Sequence, residues 1–92
     1  MWTILEHKRI AKEIADAPLQ VAEKYEFWKS IVRHSGPEGL RGIKGFHDES
    51  LAGKLRAFRS SRLSQAYRVL YQIDRDHVTV TVERVSKHDY RA

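Results

Sequence analysis

The residues of this chain best suited to chemistry gather in its second half. In the run from Ala66 to Ile73, strand alternation places Tyr67, Val69, Tyr71 and Ile73 on one face and Arg68, Leu70 and Gln72 on the other. Arg68 therefore stands apart from the aromatic row. A guanidinium fixed on a sheet presents a rigid fork of donors that matches phosphate geometry, which suits Arg68 to stabilise charge developing on a phosphoryl group. The preceding run puts Arg56, Phe58, Ser60 and Arg62 on one face and Leu55, Ala57, Arg59, Ser61 and Leu63 on the other. Lys54, Arg56, Arg59 and Arg62 are candidates for phosphate contact, which positions RNA without reading it. Beyond the last strand pattern, Lys87, His88, Asp89, Tyr90 and Arg91 cluster groups that bind phosphate or move protons. His88 is suited to protonate a leaving oxygen near neutral pH, and Tyr90 to stack on a base or donate a proton.

Charge placement points to the same region. The formal net charge is +5, with residues 1–40 neutral and the excess confined to residues 41–92. Lys54, Arg56, Arg59, Arg62 and Arg68 fall between Lys54 and Ile73 with no acid among them. A local field of one sign attracts a polyanion, RNA above all.

Other chemistries lack their patterns. There is no cysteine, so a disulfide framework or thiolate metal site is excluded. His7, His34, His47, His77 and His88 are scattered without the i, i+3 or i, i+4 spacing of a helical metal site, so no metal ligand and no cofactor is expected. Gly36 to Gly45 is glycine-rich but lacks the order of a P-loop, and there is no GxSxG elbow. No apolar run approaches the roughly 20 residues of a membrane span, and the start lacks the order of a signal peptide. One cytoplasmic domain over residues 1–92 is the expectation.

The elements that must position these residues follow from periodicity. Trp2 to Leu5 reads as a strand and His7 to Ala17 as a helix with Ile10, Ala11 and Ile14 on one side. After Pro18, Val21, Tyr25, Trp28 and Val32 mark the buried stripe of a second helix that Gly36-Pro37 ends. Ser35 to Gly53 reads as an irregular connector. Leu55 to Leu63, Ala66 to Ile73 and Val78 to Val85 read as strands joined by short polar turns, with Val78, Val80 and Val82 facing inward. The sum is an α+β fold of order βααβββ, with two helices on one face of an antiparallel sheet and the other face open.

Read together, this order, the basic strands and Tyr67-Arg68-Val69-Leu70-Tyr71 resemble the RelE/ParE toxin superfamily, in particular its RNase branch. Pro37-Glu38-Gly39-Leu40, Phe58-Arg59-Ser60-Ser61-Arg62-Leu63 and Tyr67-Arg68-Val69-Leu70-Tyr71 are similar to the YoeB pattern of PEPL, FWSRRI and HRLVY. The resemblance implies a ribosome-dependent endoribonuclease that cuts messenger RNA without a metal. A carboxylate helps deprotonate a 2′-hydroxyl, and the product ends are a 2′,3′-cyclic phosphate and a 5′-hydroxyl. By position the resemblance puts the transition-state arginine on Arg68, the carboxylate on Glu38 and the C-terminal acid on or beside His88; the family's C-terminal tyrosine falls several residues beyond Tyr90, which stands in for it by proximity and not by alignment. It also implies a cognate antitoxin as partner, commonly acidic, besides the ribosome and its mRNA. Two other readings stand beside it: a ParE-like inhibitor of DNA gyrase with the same fold, and a non-catalytic RNA-binding module.

Overall fold

The computed structural model describes residues 1–87. Strand β1 (Thr3–Glu6) leads into helix α1 (Ile10–Asp16). Pro18 forces the residue before it out of helical geometry, and Ala17 accordingly turns extended and ends α1. Helix α2 (Leu19–Ser35) follows, and the stripe expected from spacing is the buried one: Val21, Tyr25, Trp28 and Val32 are all but inaccessible to solvent. Gly36 stops α2 with φ of +75°, and a Cβ there would lie 2.6 Å from Trp2 Nε1. The stop thus depends on a residue without a side chain.

The connector holds more structure than its composition suggests. Pro37–Gly42 and Lys44–Phe46 are 3₁₀ turns that bury Leu40 and Phe46. They lead to a two-residue strand, β2 (Glu49–Ser50), and a third 3₁₀ turn at Gly53–Leu55. The first basic strand is shorter than alternation predicts: β3 covers only Arg59–Arg62, and Leu55 to Phe58 form a turn closed by a bond from Phe58 N–H to the Leu55 carbonyl. Strands β4 (Tyr67–Asp74) and β5 (Thr79–Lys87) complete the sheet. Val78 lies in the turn before β5 with φ of +49°, exposed and outside the inward row expected for it.

The sheet order is β1-β5-β4-β3-β2. All neighbours are antiparallel except β1 and β5, which run parallel with Thr3 opposite Thr79. The expected antiparallel sheet therefore has one parallel edge. An extra residue in β5 breaks the register with β4, so that Leu70 faces Arg84 but Tyr71 faces Val82. This bulge rephases β5 and turns Val85 inward with Val80 and Val82. Glu13 of α1 accepts the Val85 N–H at 2.7 Å and holds Arg84 at 3.1 Å.

Both helices pack on one face, where Ile10, Val21, Tyr25, Trp28 and Val32 meet Val69, Tyr71, Val80, Val82 and Val85. Tyr67 and Ile73 extend that row, as the alternation of β4 requires. Arg68 points to the opposite face.

Candidate active site

Arg68 sits near the start of β4, opposite Arg62 of β3 and Ser86 of β5. Its guanidinium reaches across β3 toward the sheet edge. Nε and Nη2 donate to Ser60 Oγ at 3.2 and 2.9 Å, and Nη2 also donates to Glu49 Oε2 at 2.9 Å. Ser60 is fully buried, so it acts as a fixed rest for the fork. The Arg68 side chain is 18% exposed and that of Glu49 48%. His47 lies 3.8 Å from the other oxygen of Glu49. An arginine, a half-exposed carboxylate and a histidine thus converge on the open face at the edge formed by β2.

Directly behind them is a second arginine with a different role. Arg59 turns to the helix side, where its Nη2 and Nε donate to Asp48 Oδ2 at 2.7 and 3.1 Å. The Asp48 side chain is completely buried, and its other oxygen accepts Ser61 Oγ at 2.7 Å and Tyr71 OH at 2.5 Å. Burial works against the Arg59 charge, but bonds to Asp48 and Tyr71 more than offset it and hold the guanidinium above its ordinary pKa. The Tyr71 hydroxyl is pushed up, first by burial and then by the carboxylate it serves.

The energetics of the two pairs decide which arginine is open to a ligand. Breaking a buried pair by taking one partner costs about 3–5 kcal/mol, whereas a partly exposed pair is worth about 0–1 kcal/mol. A phosphodiester can replace Glu49 at Arg68 at small cost; it cannot replace Asp48 at Arg59. Arg59, expected to contact phosphate, thus already commits Nε and Nη2 to Asp48 on the helix side of the sheet.

Among the other expected residues, Arg62 shares the open face with Arg68 and is exposed. Lys54 and Arg56 are exposed on the turn that leads into β3. Lys87 lies opposite Tyr67 and so falls on the helix side of the sheet end, away from Arg68. Glu38 is not near the site. It pairs with Arg75 at 2.5 Å, beyond the far end of β4, roughly 23 Å of strand from Arg68. A bond from its own backbone N–H, then Arg75, holds its carboxyl below the usual range. His88 and Tyr90 lie outside the described residues.

Glu49 and Asp48 are the residues that sequence reasoning missed. Their signal was the run His47-Asp48-Glu49, three titratable groups immediately before the basic segment, in a stretch read as connector. Among the described residues no three His, Asp or Glu side chains converge as a metal site.

The five-stranded, mostly antiparallel sheet with its helix pair on one face matches the fold of solved RelE, YafQ and YoeB structures. No protein-family model matches the sequence, and no curated protein matches it. Solved structures do match in fold. The RelE–RelB complex of Pyrococcus horikoshii OT3 superposes with a TM-score of 0.75 at 16% identity, covering 98% of each chain. YafQ of E. coli BL21(DE3) gives 0.74 at 13% identity over 96% of this chain and 94% of that one. The YoeB–YefM complex of Staphylococcus aureus gives 0.74 at 16% identity over 97% and 99%.

Proposed function

We propose that this chain is the toxin of a toxin–antitoxin pair and a metal-independent endoribonuclease that cuts messenger RNA on the ribosome. The observation that carries the reading is the contact of Arg68 with Glu49 on the open, basic face of the sheet. It joins in one place a phosphate-binding fork and a carboxylate able to take a proton.

In this mechanism the scissile phosphate docks against Arg68 in place of Glu49. Glu49 removes the proton of the adjacent 2′-hydroxyl, and the oxygen attacks phosphorus. The P–O5′ bond breaks, leaving a 2′,3′-cyclic phosphate, and the departing O5′ takes a proton to become a 5′-hydroxyl. Arg68 stabilises the extra charge on the phosphoryl oxygens, and Ser60 holds its fork at rest. His88 is the sequence candidate for the acid: β5 carries Ser86 opposite Arg68, and His88 follows two residues on. Tyr90 is the candidate stacking group. Arg62, Lys54 and Arg56 extend the basic surface along the RNA. Glu49 takes the part that the resemblance gave to Glu38.

Fold neighbours that include a RelE–RelB and a YoeB–YefM complex support a cognate antitoxin as partner. Among the described residues no helix is long and apolar enough to cross a membrane. Action on the ribosome places the protein in the cytoplasm.

The test is growth arrest on induction of wild type, Arg68→Ala, Glu49→Gln and His88→Ala, with mRNA ends mapped in translating extract. Arrest with ribosome-dependent cuts inside coding sequence, both lost in the variants, is the expected result. Arrest without new RNA ends would overturn it in favour of a gyrase-type toxin, and neither effect in favour of an RNA-binding module.

A further inference from the structure

Asp48 is a buried charge that the proposed chemistry does not use. Its side chain is 0% exposed at the edge of a sheet, where an apolar residue would ordinarily fill the space. Its two oxygens accept four hydrogen bonds, from Arg59 twice, Ser61 and Tyr71. Ser61 is itself held by Trp28 Nε1 at 2.9 Å. The carboxylate is thereby fixed in orientation by two strands and, through Ser61, by α2.

The strand that begins directly after it has little else to define it. β2 pairs only Glu49 with Ser60 and Ser50 with Arg59, followed by one bond from Leu51 N–H to the Phe58 carbonyl. His47, just before Asp48, is in the left-handed region, and Gly53 turns the chain again at φ of +63°. A strand this short is weakly registered by its backbone, and a slip of one residue exchanges its faces. Such a slip would turn Glu49 inward, away from Arg68. It would also set a residue other than Asp48 against the Arg59, Ser61 and Tyr71 donors.

We propose that Asp48 is the positioning residue of this site: locked among Arg59, Ser61 and Tyr71 on the inner face, it fixes the register of β2 so that Glu49 emerges on the outer face against Arg68. Its effect on catalysis rests on the nuclease reading above; its effect on the Glu49–Arg68 contact does not. Sequence adjacency converts a buried ion pair into the placement of an exposed carboxylate.

The experiment uses the full chain as wild type, Asp48→Asn, Glu49→Gln and the double variant, with Tyr71→Phe as a milder change that keeps the Arg59 pair. Rotation of the Arg68 guanidinium, followed by NMR, slows when Glu49 holds Nη2. It should be slowest in wild type, where Glu49 adds to the hold of Ser60, and measurably faster in Glu49→Gln and Asp48→Asn, with Tyr71→Phe between. With ribosomes and mRNA, Asp48→Asn should lower kcat about tenfold to a hundredfold, leave affinity for RNA bearing a 2′-deoxy block unchanged, and add no further loss to Glu49→Gln. Wild-type rotation in a folded Asp48→Asn, or an equal loss on both Glu49 backgrounds, would overturn the proposal. If wild type cuts no RNA the nuclease reading fails, and the rotation measurement still decides the role of Asp48. If Asp48→Asn does not fold, Tyr71→Phe decides it in the same way.

Discussion

The indole Nε1–H of Trp28 donates to Ser61 Oγ at 2.9 Å, and both side chains are completely buried. This bond joins the hydrophobic core to the polar cluster around Asp48. Ser61→Ala should leave the indole N–H unpaired and remove one donor from Asp48, at a cost of about 1–3 kcal/mol. For a domain of this size each kcal/mol lowers Tm by about 4–8 °C. Urea and thermal unfolding check the loss, and a change within error would mean the core accommodates the substitution.

Arg68→Lys separates charge from shape. Lysine keeps the positive charge but cannot rest a planar fork on Ser60 while meeting a phosphate. Cleavage should fall about 10²–10³-fold, whereas stability should change by less than about 1 kcal/mol, because the pair with Glu49 is partly exposed. Kinetics beside urea unfolding of the same preparation measure both.

Glu38→Gln should leave RNA cleavage at the wild-type level, since Glu38 is tied to Arg75 at the other end of β4. Its signature lies in acid stability. The folded carboxyl titrates below the ordinary value of 4.5, so its contribution is present above that pH and disappears as pH falls through the lowered value. Wild type should lose this increment below about pH 4.5, and the variant, lacking it throughout, should show a flatter acid limb.

Alkaline pH tests the inner hydroxyls. Tyr25 and Tyr71 are both raised above the ordinary 10.0 by burial first, then by Glu6 and Asp48 respectively. Above that pH the unfolded chain releases these protons and the folded chain keeps them, so stability falls as pH rises, by up to about 1.4 kcal/mol per pH unit for each tyrosine. Phenolate absorbance from these two groups should appear together with loss of circular dichroism. Tyr71→Phe should reduce the slope.

What was legible in the sequence is what local periodicity encodes. The α2 stripe of Val21, Tyr25, Trp28 and Val32 and the division of β4 between Tyr71 and Arg68 follow from one residue's distance to the next. Non-local pairing left no such trace. The parallel match of Thr3 with Thr79 and the two-residue β2 depend on which distant strand is free to bond. Glu38 was drawn to the site by the spelling of Pro37-Glu38-Gly39-Leu40, while the fold carries that turn to Arg75. Arg59 resembled its basic neighbours until its partner, Asp48, was placed behind it. Charge counts give a field but not the side of the sheet from which it acts.

The parallel edge also sets an order of events during synthesis. β1 leaves the ribosome first, yet its hydrogen-bonding neighbour is β5, so Thr3 waits for Thr79. Pairing strands so far apart in sequence costs loop-closure entropy, part of which is met earlier where Trp2 N–H bonds the Arg33 carbonyl at the end of α2. Until β5 has emerged, β4 has a partner on one side only and the sheet cannot be completed. Nascent chains shorter than this point are therefore unfinished proteins, and the ribosome that makes the chain completes its sheet last.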